Sequence, residues 1–157
     1  MTATSTRAAI DEFLGQQRLA VVGVSRDAKD FTRALFRTLR EHGYDVVAVN
    51  PLAREIEGQP CYARVQDIAP AVDGALIMTP PQVSAQVVRD CAAAGVTRVW
   101  LHRGEGIGAV SDEALAACQQ AGISVVPGFC PYMFLSQAGF IHRAHGVIMK
   151  LGGSYPR

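Results

Sequence analysis

Short β-branched runs alternate along the chain with segments whose apolar residues recur at helical spacing. This alternation is typical of a parallel sheet covered by helices on both faces. Glycine follows several of the helical segments, as expected at helix C-termini. The predicted strands cover 18–24, 45–49, 74–79, 98–101 and 123–126. The predicted helices cover 6–16, 31–42, Pro80 to Gly95, Ser111 to Gly122 and about 134–150, with a short helical turn near 65–69.

The predicted architecture is an α/β fold, a three-layer doubly wound parallel sheet of about five strands, Rossmann-like, with an extra C-terminal helix. No linker or repeat divides the sequence, so we expect one domain over 1–157 with its core at about 17–130. Counted along the chain, the expected strand order is 3-2-1-4-5. Residues 51–60, with two prolines and a glycine, are expected to form a loop. The helix over 31–42 is expected to bury Phe31 with its other apolar residues.

Three predicted strands end in residues with special backbone shape or small polar side chains: Gly23-Val-Ser25, Asn50-Pro51 and Thr79-Pro80-Pro81. Ligands of open α/β sheets bind outside the carboxyl ends of the strands, where the strand order reverses. Taken singly, each end also has a structural explanation, as a tight turn, an extended strand exit or a helix start. Their occurrence together predicts a ligand site.

The turn after the first strand is suited to a phosphate. Gly23 allows close approach to the backbone, Ser25 can donate a hydrogen bond, and the following helix presents its N-terminus. Arg26, Lys29 and Arg33 add positive charge. Replacing Arg26 or Arg33 with Ala should weaken binding by about 1–3 kcal/mol each. Gly23→Val should abolish binding in a protein that stays folded, because a Cβ would intrude between backbone and pyrophosphate.

Composition narrows the class of protein. The 157 residues carry a net charge of +1, which gives no reason to expect nucleic acid as a partner. No apolar run approaches the roughly 20 residues that span a bilayer, and the first residues lack a signal peptide, so we expect no membrane partner and a cytoplasmic location. The four cysteines form neither a disulfide framework nor a zinc motif, and Cys91 and Cys118 are expected to be buried.

Several motifs occur in order over about residues 17–130. They are Val21-Val-Gly-Val-Ser-Arg26 with Phe31-Thr-Arg33, Glu41-His-Gly-Tyr-Asp-Val-Val-Ala-Val-Asn-Pro51, Glu57-Gly58, Val72-Asp73 and Val99-Trp100. Together they resemble the stand-alone coenzyme A-binding domain family, which is similar to the nucleotide-binding domain of the succinyl-CoA synthetase α subunit. The second motif is the most specific part of the resemblance.

The resemblance implies that coenzyme A (CoA) lies across the strand ends of a Rossmann-like fold. The residues implied for its phosphates are Gly23, Val24, Ser25, Arg26 and Arg33. Those implied for the adenosine and the 3′-phosphate are Asn50, Pro51 and Arg54. Those implied for the wall along the pantetheine arm are Thr79, Pro80, Pro81 and Val83. Arg54 stands later than the basic residue that often follows Asn-Pro in the family.

No catalytic constellation is found in the sequence. His142 and His145 are three residues apart on the predicted closing helix, and with Cys130 they are candidate metal ligands. A tetrahedral structural site needs four ligands at recognisable spacing, so we expect no metal. His102 and Arg103 follow the fourth strand, where they could reach a ligand, but we expect them on the surface.

We therefore expect a non-catalytic module that binds CoA or an acyl-CoA, as a sensor, a carrier or the partner of an acyl-transfer enzyme. One alternative is an NAD(P)-dependent oxidoreductase, disfavoured because Asn50 stands where an acid would bind the ribose. The other is an interaction protein with a vestigial pocket, whose closing helix over 134–150 joins a homodimer. We expect this helix to pack mainly on the sheet.

Overall fold

The helices and strands alternate as the sequence predicts. The computed structural model describes residues 6–104 and 108–135. Its helices are α1 (Thr6–Leu14), α2 (Phe31–Glu41), α3 (Pro81–Ala93) and α4 (Asp112–Ala121), with a 3-10 turn at Val65–Asp67. Its strands are β1 (Arg18–Val22), β2 (Asp45–Val49), β3 (Glu55–Ile56), β4 (Gln59–Tyr62), β5 (Gly74–Ile77), β6 (Arg98–Leu101) and β7 (Ser124–Pro127). Residues 132–135 are also helical, and most of the predicted closing helix, with His142 and His145, lies outside the described residues.

All these strands join one sheet in the order β3-β4-β2-β1-β5-β6-β7. Every pairing is parallel except that of β3 with β4. The predicted doubly wound α/β fold is confirmed, but the predicted strand order was wrong. The third predicted strand, β5, lies beside β1 instead of beyond β2, because β4 occupies that outer position. With β4 counted, the parallel strands follow the order 3-2-1-4-5-6.

The hairpin of β3 and β4 corrects the loop predicted over 51–60. Its turn is formed by Glu57 and Gly58, whose φ angles of 51° and 73° place both in the left-handed region. Two-residue hairpin turns of type I′ require this conformation at both residues. β4 contains Pro60 and none of its residues is fully buried, because only the two-residue strand β3 lies beyond it at this side of the sheet. The apolar pattern of a buried strand is therefore missing from this segment.

Two apolar layers cover the sheet. Successive residues of β1 alternate between them, as the pleat requires. One layer contains α1 and α2 with the fully buried Trp100, and the other contains α3 and α4. Cys91 and Cys118 are buried as predicted, and burial raises the pKa of their thiols to about 12 and about 11. Both are therefore inert core residues.

Phe31 is the exception among the apolar residues of α2. Its side chain is 46 % exposed, whereas Leu35, Phe36 and Leu39 are fully buried as predicted. Phe31 is the first residue of the helix and lies at the carboxyl ends of the strands. None of the described helices is both long and apolar enough to span a bilayer.

Candidate functional site

The strand order reverses between β1 and β5. From β1 the chain moves through α2 to β2 on one side, and from β4 it returns to β5 on the other side. Ligand crevices of open α/β sheets form at such a point, outside the carboxyl ends of the strands. We call this side of the sheet the carboxyl edge. The segments 23–30, 50–54 and 78–80 follow β1, β2 and β5 there.

Gly23 brings the ends of β1 and β5 into close contact. Its φ is 95°, and its N–H donates to the Val49 carbonyl at 3.0 Å. A Cβ at this position would lie 3.0 Å from both the carbonyl carbon and the oxygen of Met78. The first obstacle to a side chain is therefore the backbone of the neighbouring strand end. That the Gly23→Val protein stays folded remains a prediction, but the substitution must displace the end of β5 as well as the site.

The segment 23–30, which we call the phosphate loop, is held by its own side chains. The N–H of Ser25 donates to Oγ1 of Thr32 at 2.8 Å, and the N–H of Asp27 donates to Oγ of Ser25 at 3.0 Å. The N–H of Lys29 donates to Oδ1 of Asp27 at 2.9 Å. Alternate amides are thus bound within the loop, which gives it a defined shape without a ligand.

The remaining donors of the phosphate loop are available. Within residues 6–104 and 108–135, the backbone N–H groups of Arg26 and Ala28 have no hydrogen-bond partner, and both residues are exposed. The Ser25 hydroxyl accepts from Asp27, which leaves its own hydrogen free to donate. The side chains of Arg26 and Lys29 are exposed and have no partner in the same ranges. This is a set of donors and positive charge suited to an anion.

The N-terminus of α2 is already capped by an anion. The Asp30 carboxylate accepts from the N–H and the hydroxyl of Thr32, at 2.8 and 2.7 Å. These hydrogen bonds hold the pKa of Asp30 below its usual value. Asp30 therefore occupies one donor of the helix N-terminus and adds a negative charge there, so most donors left for a phosphate belong to the loop. Asp30 directly before a helical pattern was a signal for this cap in the sequence.

Arg33 supports the phosphate loop through hydrogen bonds to its backbone. Its buried guanidinium pairs with Glu57, with Nε 3.1 Å from Oε2, and its Nη1 donates to the carbonyls of Ser25 and Arg26 at 3.3 and 3.1 Å. Arg37 also contacts Glu57, at 3.2 Å. The hydrogen bond from Arg33 and the two positive charges hold the pKa of Glu57 below its usual value. Direct contact between Arg33 and a phosphate stays a prediction, since Glu57 competes for the guanidinium.

Asn50 links the end of β2 to the phosphate loop. Its Nδ2 donates to the carbonyl of Val24 at 2.8 Å, and its Oδ1 accepts from the N–H of Leu52 at 2.8 Å. Both polar groups of the Asn50 side chain are therefore hydrogen-bonded to the backbone. Val24 packs in the core beneath the loop. Pro51 and Arg54 are exposed at the carboxyl edge, and the Arg54 side chain has no partner in the part of the chain described.

The segment after β5 forms the facing wall of the crevice. The hydroxyls of Thr79 and Ser84 lie 3.0 Å apart, and Ser84 donates to the carbonyl of Pro80 at 3.2 Å. These bonds close the first turn of α3, so Thr79 has a structural role at the helix start. Pro81 is half-buried, and Val83 is 46 % exposed.

Of the two residues after β6 that were expected on the surface, only Arg103 lies there. His102 is half-buried, with its ring centroid 5.6 Å from that of Phe31, while Arg103 is exposed as expected. Burial lowers the pKa of His102 and raises the pKa of Cys130. At neutral pH Cys130 is therefore a thiol rather than a reactive thiolate.

The strand order 3-2-1-4-5-6 and the loop after β1 define a Rossmann-like domain. The family model described as CoA binding domain matches residues 17–136, and the chain belongs to this family. The family resemblance found in the sequence is thereby confirmed.

The relatives include both small proteins and parts of larger ones. The α subunit of ADP-forming acetate–CoA ligase II from Pyrococcus furiosus is 33% identical over 91 residues, which cover 57% of this chain and 20% of the subunit. A hypothetical protein from Pyrococcus horikoshii superposes with a TM-score of 0.77 at 26% identity, covering 86% of this chain and 92% of that one. A dinucleotide-forming acetyl-coenzyme A synthetase 1 from Ca. Korarchaeum cryptofilum superposes with a TM-score of 0.64 at 28% identity, covering 74% of this chain and 26% of that one. The chain thus spans about a fifth of the ligase subunit.

Proposed function

We propose that this protein binds CoA or an acyl-CoA at the carboxyl edge, through the ADP and pyrophosphate part of the ligand. Its role is that of a non-catalytic binding, sensing or accessory module. The observation that carries the proposal is the phosphate loop, whose shape is set by internal hydrogen bonds while the amides of Arg26 and Ala28 and two cationic side chains remain available. Membership of the CoA binding domain family supports the choice of ligand.

In this proposal, three segments of the carboxyl edge each contact a different part of the ligand. The pyrophosphate lies on the phosphate loop, where backbone N–H groups and Arg26 donate to it. The adenosine lies beside Pro51, and Arg54 is the cation for the 3′-phosphate. The pantetheine arm passes Pro81 and Val83. Gly23, Asn50 and Thr79 support this arrangement through the backbone contacts that they make.

An acyl-transfer enzyme is the partner that we propose for this module. The ligase subunit that is similar to this chain is named for the joining of acetate to CoA. A domain that holds CoA mainly by its nucleotide part would leave the sulfur atom within reach of such an enzyme.

Calorimetry with CoA, 3′-dephospho-CoA and NAD tests the proposed ligand. We expect CoA to bind at least tenfold more tightly than NAD, because Asn50 is neutral and both of its polar ends are already engaged. Arg54→Ala should reduce the affinity for CoA to that for 3′-dephospho-CoA. NAD binding more tightly than CoA, or no binding of CoA, would overturn the proposal.

Alanine substitutions separate the roles of two arginines. Arg26→Ala should weaken CoA binding by about 1–3 kcal/mol and leave stability unchanged, because its side chain is exposed and unpaired among the described residues. Arg33→Ala should weaken binding and also lower the free energy of unfolding, because the loop carbonyls and Glu57 lose their donor. Arg89→Ala, on an exposed face of α3, is the control for lost charge. Equal effects of Arg26→Ala and Arg89→Ala on CoA affinity would contradict the phosphate contact.

A further inference from the structure

The exposed apolar side chains are concentrated on one side of the molecule. Within the described residues, each large apolar side chain that is exposed stands in a segment that follows the carboxyl end of a strand. These side chains are Phe31, Leu52, Val83, Phe129, Tyr132 and Met133. Apolar surface gathered in this way marks a binding site more often than chance exposure does.

Three rings form a group within this surface. The ring centroid of Phe31 lies 5.6 Å from that of His102 and 5.6 Å from that of Tyr132. The hydroxyls of Tyr132 and Thr38 lie 3.1 Å apart, which fixes the tyrosine over α2. We call Phe31, His102 and Tyr132 the edge cluster. Phe31 and Tyr132 remain 46 % and 38 % exposed, so the cluster offers an apolar surface to a ligand.

The imidazole of the edge cluster is shielded from water. Nε2 of His102 is buried and has no hydrogen-bond partner within residues 6–104 and 108–135. Because burial lowers the pKa of this ring, its neutral form is favoured. A neutral imidazole packed against the Phe31 ring favours an apolar group over a phosphate.

The position of the cluster relative to the phosphate loop identifies the part of the ligand that it meets. Phe31 directly follows the loop. The backbone N–H of His102 donates to the carbonyl of Ile77 at 2.9 Å, which places His102 beside the end of β5. β6 is two strands from β1, a distance of about 10 Å, which an extended pantetheine arm can cross. The adenosine side, with Pro51 and Arg54, lies in the opposite direction along the sheet, after β2.

We propose that the edge cluster binds the apolar acyl group of an acyl-CoA thioester, and that such thioesters, rather than free CoA, are the preferred ligands. This inference rests on the proposed CoA-binding function. The acyl chain lies against Phe31 and Tyr132 while the pyrophosphate occupies the phosphate loop. Leu52, beyond β2, lies on the adenosine side and takes no part in acyl binding.

Calorimetry with free CoA and hexanoyl-CoA tests the assignment. Hexanoyl-CoA should bind about tenfold more tightly than CoA, the gain expected from burying about two methylene groups. Phe31→Ala and Tyr132→Ala should bring the two affinities to within about twofold, with the affinity for free CoA little changed. Tyr132→Phe keeps the ring and should keep the preference. Leu52→Ala should leave the ratio of the two affinities unchanged.

Each other outcome has a distinct meaning. Equal affinity of the unaltered protein for CoA and hexanoyl-CoA would overturn the acyl site and leave the proposed function standing. Equal losses for both ligands in Phe31→Ala would place the cluster on the part that they share, which also overturns it. Absence of binding by either ligand would overturn the proposed function itself.

Discussion

Gly23→Ala is expected to lower the free energy of unfolding by about 2–5 kcal/mol. The φ of 95° contributes about 1–2 kcal/mol of this, because a Cβ is disfavoured there. The contact at 3.0 Å with the Met78 backbone contributes about 1–3 kcal/mol, since the backbone at the end of a buried strand has little freedom to move away. The same displacement moves the phosphate loop, so CoA affinity should fall more than tenfold with the loss of one charge-assisted bond.

Gly95→Ala is the matched control for this substitution. Gly95 also has a positive φ, of 77°, but a Cβ there has no heavy atom within 4 Å. It follows α3, away from the carboxyl edge. We expect a loss of about 1–2 kcal/mol from the backbone conformation alone and unchanged CoA affinity. Urea unfolding and calorimetry measure both effects. Equal stability of the two variants, with full CoA affinity in Gly23→Ala, would contradict the close approach of β1 and β5.

Removal of the chain after Gly128 is expected to prevent cooperative folding or to reduce stability severely. The Phe129 carbonyl accepts from Nε1 of the buried Trp100, at 3.1 Å. The Phe134 ring lies 5.9 Å from Trp100, and Leu135 is only 1 % exposed. The deletion would uncover Trp100 and leave its N–H without this partner. CoA should not rescue the truncated protein.

Point variants keep this prediction testable if the truncated chain does not fold. Leu135→Ala should lower the free energy of unfolding by about 2–5 kcal/mol, as expected for a fully buried leucine. Met133→Ala, 65 % exposed in the same segment, should change it by less than about 0.5 kcal/mol. Fluorescence of Trp100, the single tryptophan, reports unfolding in urea. A truncated protein that is folded and binds CoA would refute the structural role of residues 129–135.

The sequence by itself determined the fold class and most of the elements. Strands such as β1 and β2 are buried on both faces, so they appear as nearly continuous apolar runs that contain valines. Helices α2 and α4 end near glycines that favour left-handed turns, and Ser111 caps α4 by accepting from the N–H of Ala114. These signals are local. They also sufficed to place Gly23, Asn50 and Thr79 at strand ends on one side of the sheet.

Only the tertiary structure decided how these strand ends are used. The pairing of β4 with β2 set the strand order, and nothing in the exposed residues of β4 or in its Pro60 indicated this pairing. Arg33 was predicted as a phosphate ligand from its charge and position. Its contact with Glu57, 24 residues away, depends on how the hairpin lies against α2.

The edge cluster shows most clearly that local sequence patterns do not predict contacts between distant segments. Tyr132 and Thr38 are 94 residues apart, and Phe31 was expected in the core because helical spacing cannot distinguish the end of a helix from its middle. Local periodicity reports which residues share a face of an element. The path of residues 129–135, which follow β7, decides which of those faces are covered and which remain exposed at the carboxyl edge.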